Sequence, residues 1–96
     1  MLMPSAFTSV QMDSGKIFIV GGLIKDIVMK STYCLEENLF FSEMATMKYA
    51  RFSAPSALLN DKFIIVAGGQ SSKGKNTNTC ELYEISTNTW SPLDTM

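Results

Sequence analysis

The chain has 96 residues, enough for one small domain. It is 46% hydrophobic and 18% charged, a globular rather than a disordered composition. The net charge of −1, with no histidine, gives no overall electrostatic footprint for nucleic acid or an anionic membrane, and it removes the commonest general base and metal ligand.

Residues 4–12 (PSAFTSVQM) are weakly patterned and read as a short strand, followed by a tight turn at Asp13-Ser14-Gly15-Lys16. Ile17 to Val20 (IFIV) is a buried strand, β-branched and aromatic, and Gly21-Gly22 ends it. Residues 23–30 (LIKDIVMK) fit either a helical turn or a loop with apolar anchors. Residues 31–36 (STYCLE) form a third strand, Glu37-Asn38 a turn, and residues 39–43 (LFFSE) a short fourth strand. Residues 44–47 close the unit.

The same plan then recurs. Residues 48–51 lead in, and residues 52–59 make the first strand, with Pro55 demoting part of it to an irregular or edge position. Asn60-Asp61 turns. Residues 63–67 (FIIVA) form the second strand, and Gly68-Gly69 ends it. Residues 70–78 (QSSKGKNTN) read as a polar loop, residues 79–85 as the third strand, Ser86-Thr87-Asn88 as a turn and residues 89–91 as the fourth strand.

Register supports a unit written twice, over residues 4–47 and 48–96. A shift of 47 superposes Ser9 on Ser56, Ile17 on Ile64, Gly21 on Gly68 and Gly22 on Gly69. A shift of 49 superposes Ser42 on Ser91, Thr46 on Thr95 and Met47 on Met96, with Cys34 on Tyr83 and Phe41 on Trp90. The two-residue difference is expected in the loop after the double glycine, where an insertion costs least.

An apolar strand ending in Gly-Gly, then Tyr, Trp and Met at set distances, resembles the kelch repeat. The second unit carries Arg51, Gly68, Gly69, Tyr83, Trp90 and Met96. The first carries Gly21, Gly22, Phe41 and Met47, with Pro4 in place of the arginine and Cys34 in place of the tyrosine. The resemblance implies an all-β fold, two four-stranded antiparallel blades of a kelch-type β-propeller. Propellers typically have four to eight blades, so two blades are an incomplete propeller. Further blades are expected in cis, from a longer protein, or in trans, from copies closing a ring.

The resemblance also implies a non-enzymatic module that meets a protein partner through loops on one face, as a substrate adaptor or a cytoskeletal binder. The candidate contacts are Arg51, Lys48, Tyr49, Gln70, Ser71, Lys73, Lys75 and Asn76. Arg51, with Lys48 and Tyr49, would anchor an acidic partner peptide, since arginine and tyrosine are favoured interface anchors; the alternative is an ordinary solvated loop. The alternative is a piece of a propeller enzyme whose catalytic residues lie on other blades. The lack of histidine weighs against the copper oxidases that share the fold.

Other sites are not expected. Gly69 to Lys75 fits the spacing of a phosphate-binding loop, but Asn76 stands where a hydroxyl is required and the residues after it alternate like a strand rather than opening a helix. No catalytic, metal or cofactor site is expected, nor nucleic-acid or membrane binding. Cys34 and Cys80 match no metal spacing and read as buried free thiols. Residues 1–13 lack the basic and apolar regions of a signal peptide, which points to the cytoplasm.

Overall fold

The computed structural model of the chain describes residues 4–72 and 74–93. Among them there are twelve strands and no helix, and so no helix long and apolar enough to cross a membrane. The first unit contains β1 (Thr8–Gln11), β2 (Ile17–Val20), β3 (Leu23–Ile24), β4 (Ile27–Val28), β5 (Thr32–Leu35) and β6 (Phe41–Glu43). The second contains β7 (Ser56–Leu59), β8 (Phe63–Ala67), β9 (Gln70–Ser72), β10 (Lys75–Asn76), β11 (Cys80–Glu84) and β12 (Thr89–Leu93). Two four-stranded antiparallel sheets result, ordered β1-β2-β5-β6 and β7-β8-β11-β12, each with a two-stranded hairpin inserted after its double glycine.

The two sheets pack face to face. Val10, Phe18, Val20 and Cys34 of the first unit cluster with Ile64, Val66 and Tyr83 of the second. Period-two alternation puts these residues on one side of each sheet. Phe18 and Tyr83 meet with ring centroids 5.7 Å apart. Each fully buried apolar side chain here contributes about 1.5–3 kcal/mol, so this seam is the main source of stability. At the innermost strands the Thr8 and Ser56 hydroxyls share a 2.6 Å hydrogen bond.

The two sheets use opposite faces of the same unit. By the 47-residue shift, Phe18 corresponds to Ile65 and Val20 to Ala67, which lie on the outer face of the second sheet, half-exposed. Conversely Ile64 and Val66 correspond to Ile17 and Ile19, on the outer face of the first sheet. This is why both central strands are apolar on both sides.

Several elements depart from the sequence reading. Residues 23–30 are neither a helical turn nor a loop but the β3–β4 hairpin, and the polar run after Gly69 is the β9–β10 hairpin. Backbone pairing explains both. The chain after each double glycine bonds back to the lead-in of its own unit, Leu23 to Ser5 and Gln70 to Phe52. The first strand of the second unit begins at Ser56, because Ser53 takes a φ of +55° and Pro55 cannot donate. The fourth strand runs on to Leu93, since Pro92 sits on the edge strand.

The repeat register also needs correction. Ile17 pairs with Leu35, whereas its counterpart Ile64 pairs with Tyr83. Leu35, not Cys34, therefore stands in the place of Tyr83, a shift of 48. In the fourth strand Leu35 pairs with Phe41 and Tyr83 with Trp90, so the shift there is 49. The two extra residues are divided, one in the connection after the double glycine and one in the turn between the third and fourth strands.

Candidate functional site

In an antiparallel sheet the connections alternate between two ends. At one end lie the lead-in to β1, the β3–β4 hairpin, the linker from β6 to β7 and the β9–β10 hairpin. This double-glycine edge holds all the sequence-derived contact candidates that the structure describes.

The linker is held at both sides of the seam. Its backbone joins the first unit. Met47 N–H donates to Lys30 O at 2.9 Å, Arg51 N–H to Met29 O at 3.1 Å, and Gly22 N–H to Arg51 O at 2.9 Å. Gly21 has a φ of +67°, and a Cβ there would collide with the Arg51 carbonyl. A side chain would thus be strained by backbone and by contact alike.

The Arg51 side chain reaches the other way, into the second unit. Nη1 donates to Gly68 O at 3.0 Å and Thr79 O at 2.8 Å, and Nη2 donates to Thr79 Oγ1 at 3.0 Å and Glu81 Oε2 at 2.8 Å. The Glu81 carboxylate also accepts from the Lys48 and Tyr49 backbone N–H groups, at 2.6 and 3.2 Å. Arg51 and Glu81 are each 1% exposed. Such a pair offsets its desolvation only when its remaining hydrogen-bonding groups are satisfied, as nearly all are here. Arg51 Nε alone has no partner among the described residues.

Arg51 is therefore neither a partner-facing anchor nor part of a solvated loop, the two readings that the sequence offered. The cost of burying a guanidinium is met by Glu81, which holds it inside. Glu81 was missed in the sequence, although its two-residue spacing from Tyr83 in an apolar alternating strand put it on the inward face. In the first unit both partners are replaced, Arg51 by Pro4 and Glu81 by Tyr33.

The other candidates are spread along the edge. Lys48 and Tyr49 are exposed, with the Lys48 ammonium 5.4 Å from the Tyr49 ring centroid. Ser71, Lys75 and Asn76 are exposed on the β9–β10 hairpin. Gln70 is half-buried, and its side-chain oxygen accepts from Gly74 N–H at 3.2 Å. Lys73 and Met96 lie outside the described residues. Between the two hairpins is a cleft of about 380 Å³ lined by Leu23, Asp26, Val28, Phe52 and Ser72. The run from Gly69 to Lys75 opens into a strand pair, not into a helix whose amide groups could face a phosphate.

The remaining repeat-defining residues are structural in position. Gly21, Gly22, Gly68 and Gly69 directly follow β2 and β8. Met47 and Tyr83 are buried, Trp90 is half-buried and Phe41 is exposed on the outer face of the first sheet. Trp90 packs tilted against Tyr83 with ring centroids 4.9 Å apart, and its indole N–H donates to Ala45 O at 2.9 Å and Thr32 Oγ1 at 3.1 Å, both in the first unit. Burial, and then the nearby Cys34, pushes the Tyr83 phenol up to about 12. Burial pushes the Cys34 thiol up as well, which disfavours the thiolate. Cys34 and Cys80 are both buried and free.

Residues 51–96 match the family described as the Kelch motif, just under half of the chain. No curated protein matches. Among solved structures, a novel fungal alcohol oxidase with catalytic diversity among the AA5 family, in complex with copper, has a TM-score of 0.83 and 24% identity. The match covers 95% of this chain and 22% of that one. The chain thus spans about a fifth of that protein's length, and the likeness shows the fold.

Proposed function

We propose, for a chain whose residues 51–96 are a kelch repeat and whose two sheets are blades of a β-propeller, that it serves as a protein-binding module. Its partner meets the double-glycine edge. One observation carries this reading. The β3–β4 hairpin, the β9–β10 hairpin and the blade-to-blade linker all emerge at that edge and flank one partly apolar cleft, with the linker fixed beneath by the Arg51–Glu81 pair. A rigid base under exposed loops is the usual arrangement of a binding surface. The role is recruitment rather than catalysis, as an adaptor or a cytoskeletal contact. The setting is the cytoplasm, in keeping with two free thiols.

The test replaces connections in turn. Substituting the β3–β4 and β9–β10 hairpins by Gly-Ser turns should abolish capture of the partner. The same replacement of the turns at the opposite edge, residues 36–40 and 86–87, should leave capture intact. Equal loss in both sets would refute the assignment of the edge. A second reading draws on the oxidase that shares the fold, and makes these blades a segment of a propeller enzyme with its reacting groups on other blades. Oxidation of an alcohol by the longer protein, unaffected by the hairpin replacements, would favour it.

A further inference from the structure

A net charge of −1 conceals a division of charge between the two ends of the sheets. Among the described residues of the double-glycine edge Lys25, Lys30, Lys48 and Lys75 are exposed, against Asp26 and Glu43. Arg51 and Glu81 cancel each other inside. At the opposite edge stand Asp13, Glu36, Glu37, Asp61 and Glu84, against Lys16 and Lys62. The crowding there is direct. The Asp61 carboxyl is raised by loss of solvent and then by the charge of Asp13, with which it shares a hydrogen bond. Strands of four or five residues separate the two ends by roughly 13–17 Å. That exceeds the Debye length of about 8 Å at physiological salt, so each end presents its own field. Sequence order hides the division, because the connections alternate between the ends along the chain.

We infer that the double-glycine edge docks an acidic segment of its protein partner. This rests on the reading of that edge as the partner-binding surface, and it names the chemistry of the partner. Carboxylates of the segment pair with Lys25, Lys30, Lys48 and Lys75, and an apolar side chain of the segment enters the cleft beside Leu23, Val28 and Phe52. The acidic opposite edge repels the same segment, which fixes the end at which it docks. Two observations favour a polypeptide over a nucleic acid. The one arginine, the side chain best suited to grip phosphate in a fork, is committed to Glu81. The Tyr49 ring, the aromatic face exposed on the linker, is covered by the Lys48 ammonium rather than open for base stacking.

The full chain is used to select from a library of displayed random peptides, and the selected peptide is then titrated by fluorescence anisotropy. The expected outcome is enrichment of Asp- and Glu-rich peptides carrying a Leu or Phe. Their affinity should fall about tenfold in the Lys25→Glu/Lys75→Glu variant, and also as salt is raised. The Glu36→Lys/Glu37→Lys variant, altered at the opposite edge, should bind as the wild type does. Lys48→Gln, which removes a charge without reversing it, should lower affinity by a smaller factor. Trp90 fluorescence checks that each variant is folded. Enrichment of neutral or basic peptides whose binding still requires the hairpins would overturn the acidic partner and leave the binding surface standing. No enrichment would overturn both. Tighter binding of a single-stranded RNA oligonucleotide than of any acidic peptide would overturn the inference in favour of a nucleic-acid surface.

Discussion

Arg51→Ala tests how the linker is held. In the wild type the guanidinium serves two backbone carbonyls, one hydroxyl and the Glu81 carboxylate, with both charged groups 1% exposed. Truncation leaves Glu81 ionised in a dry site with only the Lys48 and Tyr49 N–H groups to face it. Breaking one side of a buried pair costs about 3–5 kcal/mol. Domains are stable by about 5–15 kcal/mol, and short chains lie toward the low end, so the variant should lose about half its stability or more. Glu81→Gln alone should cost a comparable amount, because it strands the guanidinium instead. The two changes together should cost about 1–3 kcal/mol less than their sum, since neither charge is then left unpaired. Urea unfolding followed by Trp90 fluorescence gives all three values. A loss below about 1 kcal/mol for Arg51→Ala, or strict additivity in the double variant, would refute the account of Arg51 as an internal clamp.

Two further outcomes follow from geometry and titration. Gly21→Ala should destabilise by about 2 kcal/mol more than Gly74→Ala. Both positions have positive φ, but only Gly21 would press a Cβ on the Arg51 carbonyl, while Gly74 has nothing within 4 Å; equal losses in thermal unfolding would remove that contact from the explanation. Tyr83 governs the alkaline limit. Its phenol is raised to about 12 in the folded chain, whereas an unfolded tyrosine titrates near 10. The folded state therefore holds its proton longer. The associated stability is complete below about pH 10 and is lost as pH rises towards 12. Absorbance at 295 nm should show an ionisation near pH 12 in the wild type that is missing in Tyr83→Phe. Its appearance near pH 10 in the folded chain would contradict burial of the ring.

The strand plan was legible because it is local. Apolar runs such as IFIV and FIIVA, bounded by turn residues, carry their own strand signal, and two copies in register reinforce each other. The hairpins after the double glycines were not legible. Their pairing depends on Ser5 and Phe52, which lie 18 residues upstream of their partners Leu23 and Gln70. Arg51 was misplaced for a related reason. A charged residue in a linker reads as solvated unless its counter-charge is known, and Glu81 lies 30 residues away. The third-strand register is not legible because the identical pairs of the 49-residue shift lie beyond that strand, where an extra turn residue has already been added. Leu35 and Tyr83 share no chemistry beyond being apolar, yet they face equivalent partners.

The opposite-face packing of the two blades also bears on symmetry. A two-fold axis joins like to like, so a symmetric dimer would set the Phe63, Ile65 and Leu82 face against its own copy, or the Ile17, Tyr33 and Phe41 face against its own. The seam observed here joins unlike faces, and the shape each face needs is found on the other. Association that repeats this seam is heterologous and has a direction, head to tail. It is completed only by closing a ring; without closure it extends as a filament.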